Sequence, residues 1–208
     1  MKYLSKTTKV FVILMTVNFL CQVYAETKYR FNEETARKYL RDEYELPSFE
    51  KAKKDAEAGD VYAQTYLGDL YNSGRGVTKD TEKAIYWYRK ALEKGDNRAP
   101  FVLATMHELG NTTVRKLFKN DVSLYYISAE RGYMLAQERL GSAYADGKGV
   151  PKDYIEAYAW WNVAAAQGAD DAAANRDKLS ISMSKSQIEK AQSLSREYYK
   201  KYVKNNPK

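Results

Sequence analysis

Acyl transfer by a serine needs a base within reach of the hydroxyl, and two places in this sequence have the spacing. Ser48-x-x-Lys51 and Ser182-x-x-Lys185 each set a lysine one helical turn from a serine, where an amine can take the serine proton. The companion motifs of such enzymes are absent, and a two-residue pattern recurs by chance in a chain rich in serine and lysine. His107 is the single histidine and Cys21 the single cysteine, which excludes most zinc sites and most nucleophilic dyads. Carboxylate pairs such as Asp170-Asp171 fall at helix starts, where the helix dipole favours acids. The residues therefore point away from catalysis, with no metal site and no cofactor. Asn111-Thr112-Thr113 is formally a glycosylation acceptor, but the Lys, Tyr and Asn bias and the leader fit a bacterial periplasmic protein better.

That leader has three parts. Met1 to Lys9 carries Lys2, Lys6 and Lys9 without an acid, Val10 to Leu20 is apolar except for Thr16 and Asn18, and Val23-Tyr24-Ala25 follows. This is the pattern of a signal peptide, residues 1–25, cleaved after Ala25. The apolar run is about half of the ~20 residues that a spanning helix needs, so stable membrane insertion is not expected. Leu20 before Cys21 is too large for a lipid-attachment box. Cleavage would remove the only cysteine, and with it any disulfide or thiolate site. It would also remove three lysines from a formal surplus of +7. The remaining charges read as mixed along the chain, which is not a nucleic-acid footprint.

The elements that position these side chains follow from an internal repeat. Gly59, Gly95, Gly132 and Gly168 recur every thirty-six or thirty-seven residues, each followed four positions later by an alanine: Ala63, Ala99, Ala136 and Ala172. Leu67-Gly68, Leu103-Ala104 and Leu140-Gly141 keep the same phase, as do Tyr88, Tyr125 and Trp161. A period of this length is that of a solenoid built from helix pairs. The spacing predicts a first helix over Val61 to Ser73, a break at Gly74-Arg75-Gly76-Val77, and a second helix over Thr81 to Lys94 capped by Asp80. Gly147-Lys148-Gly149-Val150 repeats the break, with Asp153 and Glu156 as a capping-box pair. Gly76 and Gly149 are expected at positive φ. Nineteen tyrosines suit helices packed with buried rings and hydroxyls that reach water.

Leu67-Gly68, Tyr71, Gly74-x-Gly76-Val77, Asp80, Lys83-Ala84 and Trp87-Tyr88-x-Lys90-Ala91 resemble a Sel1-like repeat. The pattern returns as Leu140-Gly141, Tyr144, Gly147-x-Gly149-Val150, Asp153, Ala157 and Trp160-Trp161-x-x-Ala164. The middle unit departs from it: Asn111-Thr112-Thr113 replaces the glycine loop, His107 stands for the tyrosine and Asp121 for the alanine. The resemblance implies an all-α fold, a short right-handed α-solenoid of antiparallel, tetratricopeptide-like helix pairs with a C-terminal capping helix. After the signal peptide, the reading places N-terminal capping helices over 26–58, with the first running from Asn32 to Glu45. Repeats follow over 59–94, 95–131 (degenerate) and 132–168, then a truncated repeat and capping helix over 169–204. That last helix opens at the capping box Ser184-x-x-Gln187 and carries the apolar face Ile188, Ala191, Leu194, Tyr198 and Tyr202.

By analogy with tetratricopeptide arrays, the first helix of each unit lines a concave face that takes a segment of another protein. Outward positions on it are Tyr62, Thr65, Asp69 and Asn72, then Arg98, Phe101, Thr105 and Glu108, then Glu138 and Ser142. The partner implied is a protein or peptide, not a nucleic acid. Secreted bacterial relatives of this kind serve in envelope assembly, host interaction and immunity to toxins. Some cysteine-rich relatives are associated with binding or hydrolysing β-lactams, the alternative that Ser-x-x-Lys would serve.

Overall fold

Helix starts in this chain are written in its short polar residues. In the computed structural model, which describes residues 47–205, the side chains of Ser48, Asp60, Asp80, Asn111, Asn120, Asp153 and Ser184 each accept from a backbone N–H in the first turn of a helix. Each satisfies a donor that the helix itself cannot. The leader, Cys21, the helix expected over Asn32 to Glu45 and the end of the tail lie outside the described residues.

The helices are α1 (Phe49–Glu57), α2 (Val61–Ser73), α3 (Thr81–Glu93), α4 (Ala99–Glu108), α5 (Thr112–Leu117), α6 (Asp121–Glu130), α7 (Met134–Asp146), α8 (Tyr154–Ala165), α9 (Asp170–Ser180) and α10 (Lys185–Tyr198), which runs on into a π-helical turn, Tyr199–Lys204. No strand occurs among the described residues. Pro47 onward is one compact unit in which each helix packs on the next, α1 on α2, α2 on α3, α3 on α4, α4 on α6, and so on to α9. This is an α-solenoid of helix pairs. None of these helices is long and apolar enough to cross a membrane.

Close approach within a pair rests on small residues. A Cβ on Gly68 would enter the Tyr88 ring, and one on Gly141 would enter the Trp161 indole. The two loop glycines that the period singled out, Gly76 and Gly149, both have φ +74, a conformation that costs side-chain-bearing residues roughly 1–2 kcal/mol.

Two features differ from the sequence reading. Asn111-Thr112-Thr113 is not a loop: Asn111 caps the short helix α5, whose Val114 is fully buried. Asp121, in register with Ala84 and Ala157, consequently opens α6 instead of lying inside it, so α6 starts a turn later than α3 or α8. Secondly, Asp153 accepts from Ile155 and Glu156 N–H, but Glu156 does not close a box. Its carboxylate receives the Tyr198 phenol at 3.2 Å, a bond that the arrival of α10 makes available. Ser184 and Gln187 do form the expected box. The capping helix α10 is seated chiefly on α8, with Ile188 and Ala191 also meeting Leu179 of α9. The reason is in α8, where Ala157 to Trp161 are all buried in succession, together with Val163 and Ala164. A helix apolar on every side must be covered on every side, and α7, α9 and α10 share that task.

Candidate functional site

The first helices α2, α4 and α7 are joined across unit boundaries by polar side chains. Arg98 Nη2, at the N-cap of α4, reaches Asp69 Oδ2 on α2 at 2.7 Å, and the Tyr88 phenol on α3 donates to Asp69 Oδ1 at 2.8 Å. One carboxylate thus links its own unit to the next. Burial pushes the Tyr88 phenol up, and the adjacent Asp69 charge adds to this. Burial works against the Arg98 charge, but the Asp69 carboxylate outweighs it and the guanidinium is held more firmly protonated.

The next unit has a related arrangement. Glu108 on α4 accepts the Tyr125 phenol at 2.9 Å and Lys148 Nζ at 2.9 Å, with Arg139 at 4.0 Å. The Lys148 hydrogen bond leads in holding the Glu108 carboxyl below its ordinary value, against burial. Between the two polar groups lies Phe101, half-buried, with ring centroids 5.6 Å from Tyr125 and 5.2 Å from Tyr133. Farther along, the Trp161 indole N–H donates to the Glu138 carbonyl at 3.2 Å. Burial first, and Asp171 second, push the Glu138 carboxyl up.

Of the ten positions expected to face outward, Tyr62 is the most open, at 73% exposure. Asp69, Asn72, Arg98, Phe101, Thr105, Glu108, Glu138 and Ser142 are half-buried. Thr65 is not on the surface at all: it is 3% exposed, a short side chain whose hydroxyl turns back to the Val61 carbonyl. Thr105 and Ser142 bond back in the same way, to Phe101 and Glu138. The face therefore brings Asp69, Arg98, Phe101 and Glu108 into one connected set and leaves Tyr62 apart from it. Tyr88, Tyr125, Tyr133, Arg139 and Lys148 belong to this set and were missed. The recurrence of Tyr88, Tyr125 and Trp161 in phase was the available signal. Their polar atoms do not reach for water, as composition suggested, but for first-helix acceptors.

The residues considered for chemistry have other occupations. Ser48 caps α1 by accepting from Lys51 N–H at 3.3 Å, while Lys51 Nζ pairs with Asp55 at 3.2 Å. Ser182 donates to the Leu179 carbonyl at 2.8 Å, and Lys185 opens α10. His107 is half-buried, and its carbonyl receives Arg115 Nε at 3.1 Å. Among the described residues no group of three His, Cys, Asp or Glu side chains is placed to hold a metal ion.

The Sel1 repeat family model matches residues 61–96 and 135–168. The crystal structure of a Sel1 repeat protein from Oxalobacter formigenes is 35% identical, with a TM-score of 0.55 over 61% of this chain and 95% of that one. The chain belongs to the Sel1 repeat family. A protective antigen present in uropathogenic Escherichia coli strains, displaying an SLR fold, is 28% identical with a TM-score of 0.50, over 76% of this chain and 42% of that one. Among curated proteins, this Sel1 repeat protein is similar to a chitin synthase regulator of Saccharomyces cerevisiae, 28% identical over 148 residues, which are 70% of this chain and 20% of that one. Chitin synthase regulatory factor 3 of Schizosaccharomyces pombe is 30% identical over 122 residues, 58% of this chain and 13% of that one. The chain thus spans a fifth or less of the length of these curated relatives. The two matched spans are α2–α3 and α7–α8, the units with glycine loops. The unit with α5 lies between them.

Proposed function

We propose that this Sel1 repeat protein is an exported, non-enzymatic adaptor that holds a segment of another protein on its first-helix face, without a cofactor. The observation that carries this reading is the way Arg98 and Phe101 are held. An arginine and an aromatic ring are the commonest anchors of protein interfaces. Here Asp69 fixes the first, and Tyr125 and Tyr133 fix the second, so little side-chain freedom remains to be lost on binding. The similarity to proteins that are regulators of an enzyme by name supports an interaction role. Export rests on the leader over residues 1–25, and the compartment follows from it as periplasm or extracellular fluid.

Large side chains placed in the face without breaking these contacts test the proposal. Asn72→Arg with Ser142→Arg is expected to abolish recovery of partner proteins in a pull-down from the exported fraction, with an unchanged melting temperature. Undiminished recovery by this folded variant would remove the face from the reading. Intact mass of the exported protein tests the leader, with a start at Glu26 as the expected result.

A further inference from the structure

The positive charge of this chain is not spread evenly, although acids and bases alternate along most of it. Between Glu26 and Ser184 they balance to within one charge, and the surplus sits in the leader and in residues 185–208. α10 and its π turn carry Lys185, Lys190, Arg196, Lys200, Lys201 and Lys204 against two acids of their own, Glu189 and Glu197, with Glu130 of α6 also near Lys201. All six are exposed. Lys201 bonds the Tyr202 phenol at 3.0 Å, whereas Arg196, Lys200 and Lys204 have no ion pair among the described residues.

Burial of the opposite side sets the orientation of this row. Tyr198 and Tyr202, four residues apart, both lie against the fully buried Trp160, at centroid distances of 4.6 and 5.7 Å. Their phenols are tied to Glu156 and Glu130. The π turn over Tyr199–Lys204 widens the helix where these two rings face the same way. Arg196, Lys200 and Lys204 share the same four-residue step and are therefore turned out together, with the part-exposed Tyr199 beside them. The row is roughly 12 Å long, with neighbouring charges about 6 Å apart, inside the ~8 Å Debye length at physiological salt.

We infer that this row is a docking surface for an anionic lipid bilayer, separate from the first-helix face. A single outward row suits a flat, extended anionic surface. A nucleic-acid strand is instead tracked by a basic groove lined with stacking aromatics. Lysines and arginines close to anionic headgroups are attracted without inserting, and tyrosine is at home at that depth. Docking through α10 would leave the first helices α2, α4 and α7 facing away for a protein partner.

Vesicle co-sedimentation of the full chain tests this, with phosphatidylcholine alone and with phosphatidylcholine plus phosphatidylglycerol. The expected result is a preference for the anionic vesicles that falls with added salt. Arg196→Gln/Lys200→Gln/Lys204→Gln should weaken it roughly a hundredfold with an unchanged circular dichroism melt. Lys2→Gln/Lys6→Gln/Lys9→Gln should preserve it. Equal binding to neutral vesicles would overturn the inference, as would a preference that survives the first triple change or is lost with the second. Binding to a single-stranded oligonucleotide without vesicle binding would overturn it too, and would reassign the row to nucleic acid.

Discussion

The Tyr88 phenol and the Asp69 carboxylate meet at 2.8 Å between α3 and α2, and the same carboxylate receives Arg98 from the following unit at 2.7 Å. The tyrosine orients the acid, and the acid orients the arginine. Tyr88→Phe keeps the buried ring and deletes only the donor. It should cost about 1–2 kcal/mol, read as a lower urea midpoint with an unchanged m-value. Arg98→Ala should cost a comparable amount, since it leaves Asp69 with only the phenol. The two losses should be less than additive because they share that one carboxylate.

Gly141 and Ala104 occupy the same register in neighbouring units but have different room. A Cβ at Gly141 runs into the Trp161 indole, whereas Ala104 is already accommodated and fully buried in the middle unit. Gly141→Ala is expected to destabilise by about 1–3 kcal/mol through overpacking. Ala104→Gly should cost about 1 kcal/mol, the helix penalty of glycine. Thermal melts that rank them in reverse would show that α7 and α8 separate freely.

Gly76 and Gly149 share φ +74 and differ in what surrounds them. At Gly76 a Cβ would meet only Phe49 Cβ at 3.7 Å, an ordinary contact, while at Gly149 it would meet Val122 Cγ2 at 2.6 Å. Alanine at either site carries the left-handed strain of roughly 1–2 kcal/mol, and at Gly149 a steric cost is added. Gly149→Ala should therefore melt lower than Gly76→Ala, and Val122→Ala in the same chain should remove the steric part without removing the strain.

Burial pushes the Glu138 carboxyl up, and Asp171 adds to the shift. With its folded pKa above its unfolded one, the protonated acid is the form that the fold favours. Its contribution is complete below about pH 4.3 and is lost as the pH rises through the folded pKa. Glu138→Gln should accordingly raise the melting temperature at pH 7, and the gain should shrink as the pH is lowered toward 4. A difference independent of pH would mean that the carboxylate is fully solvated.

The regular units and the caps Asp80, Asp153 and Ser184 could be read directly from residue types. Positive φ selects glycine, and an unsatisfied first turn selects Asp, Asn or Ser, whatever lies elsewhere in the chain. The candidate face was only partly legible. Helical spacing placed Asp69, Arg98, Phe101 and Glu108 on it, but spacing treats every outward position alike. It could not show that Thr65 is buried at 3% exposure or that Tyr125 and Tyr133 enclose Phe101.

What the sequence determined by itself is local: the helix pairs, their glycine breaks and the small residues at which two helices meet. The tertiary structure decided which distant groups come together. Glu130 receives the Tyr202 phenol at 2.9 Å from seventy-two residues away, and Glu156 turns from its own helix start to Tyr198. Asn111 begins a helix where a loop was expected. A backbone conformation depends on the side chain attached to it and its nearest neighbours, so residue type specifies it. A hydrogen bond between a carboxylate and a phenol depends on where two helices are laid, and that follows only once α8, apolar on every side, has been covered.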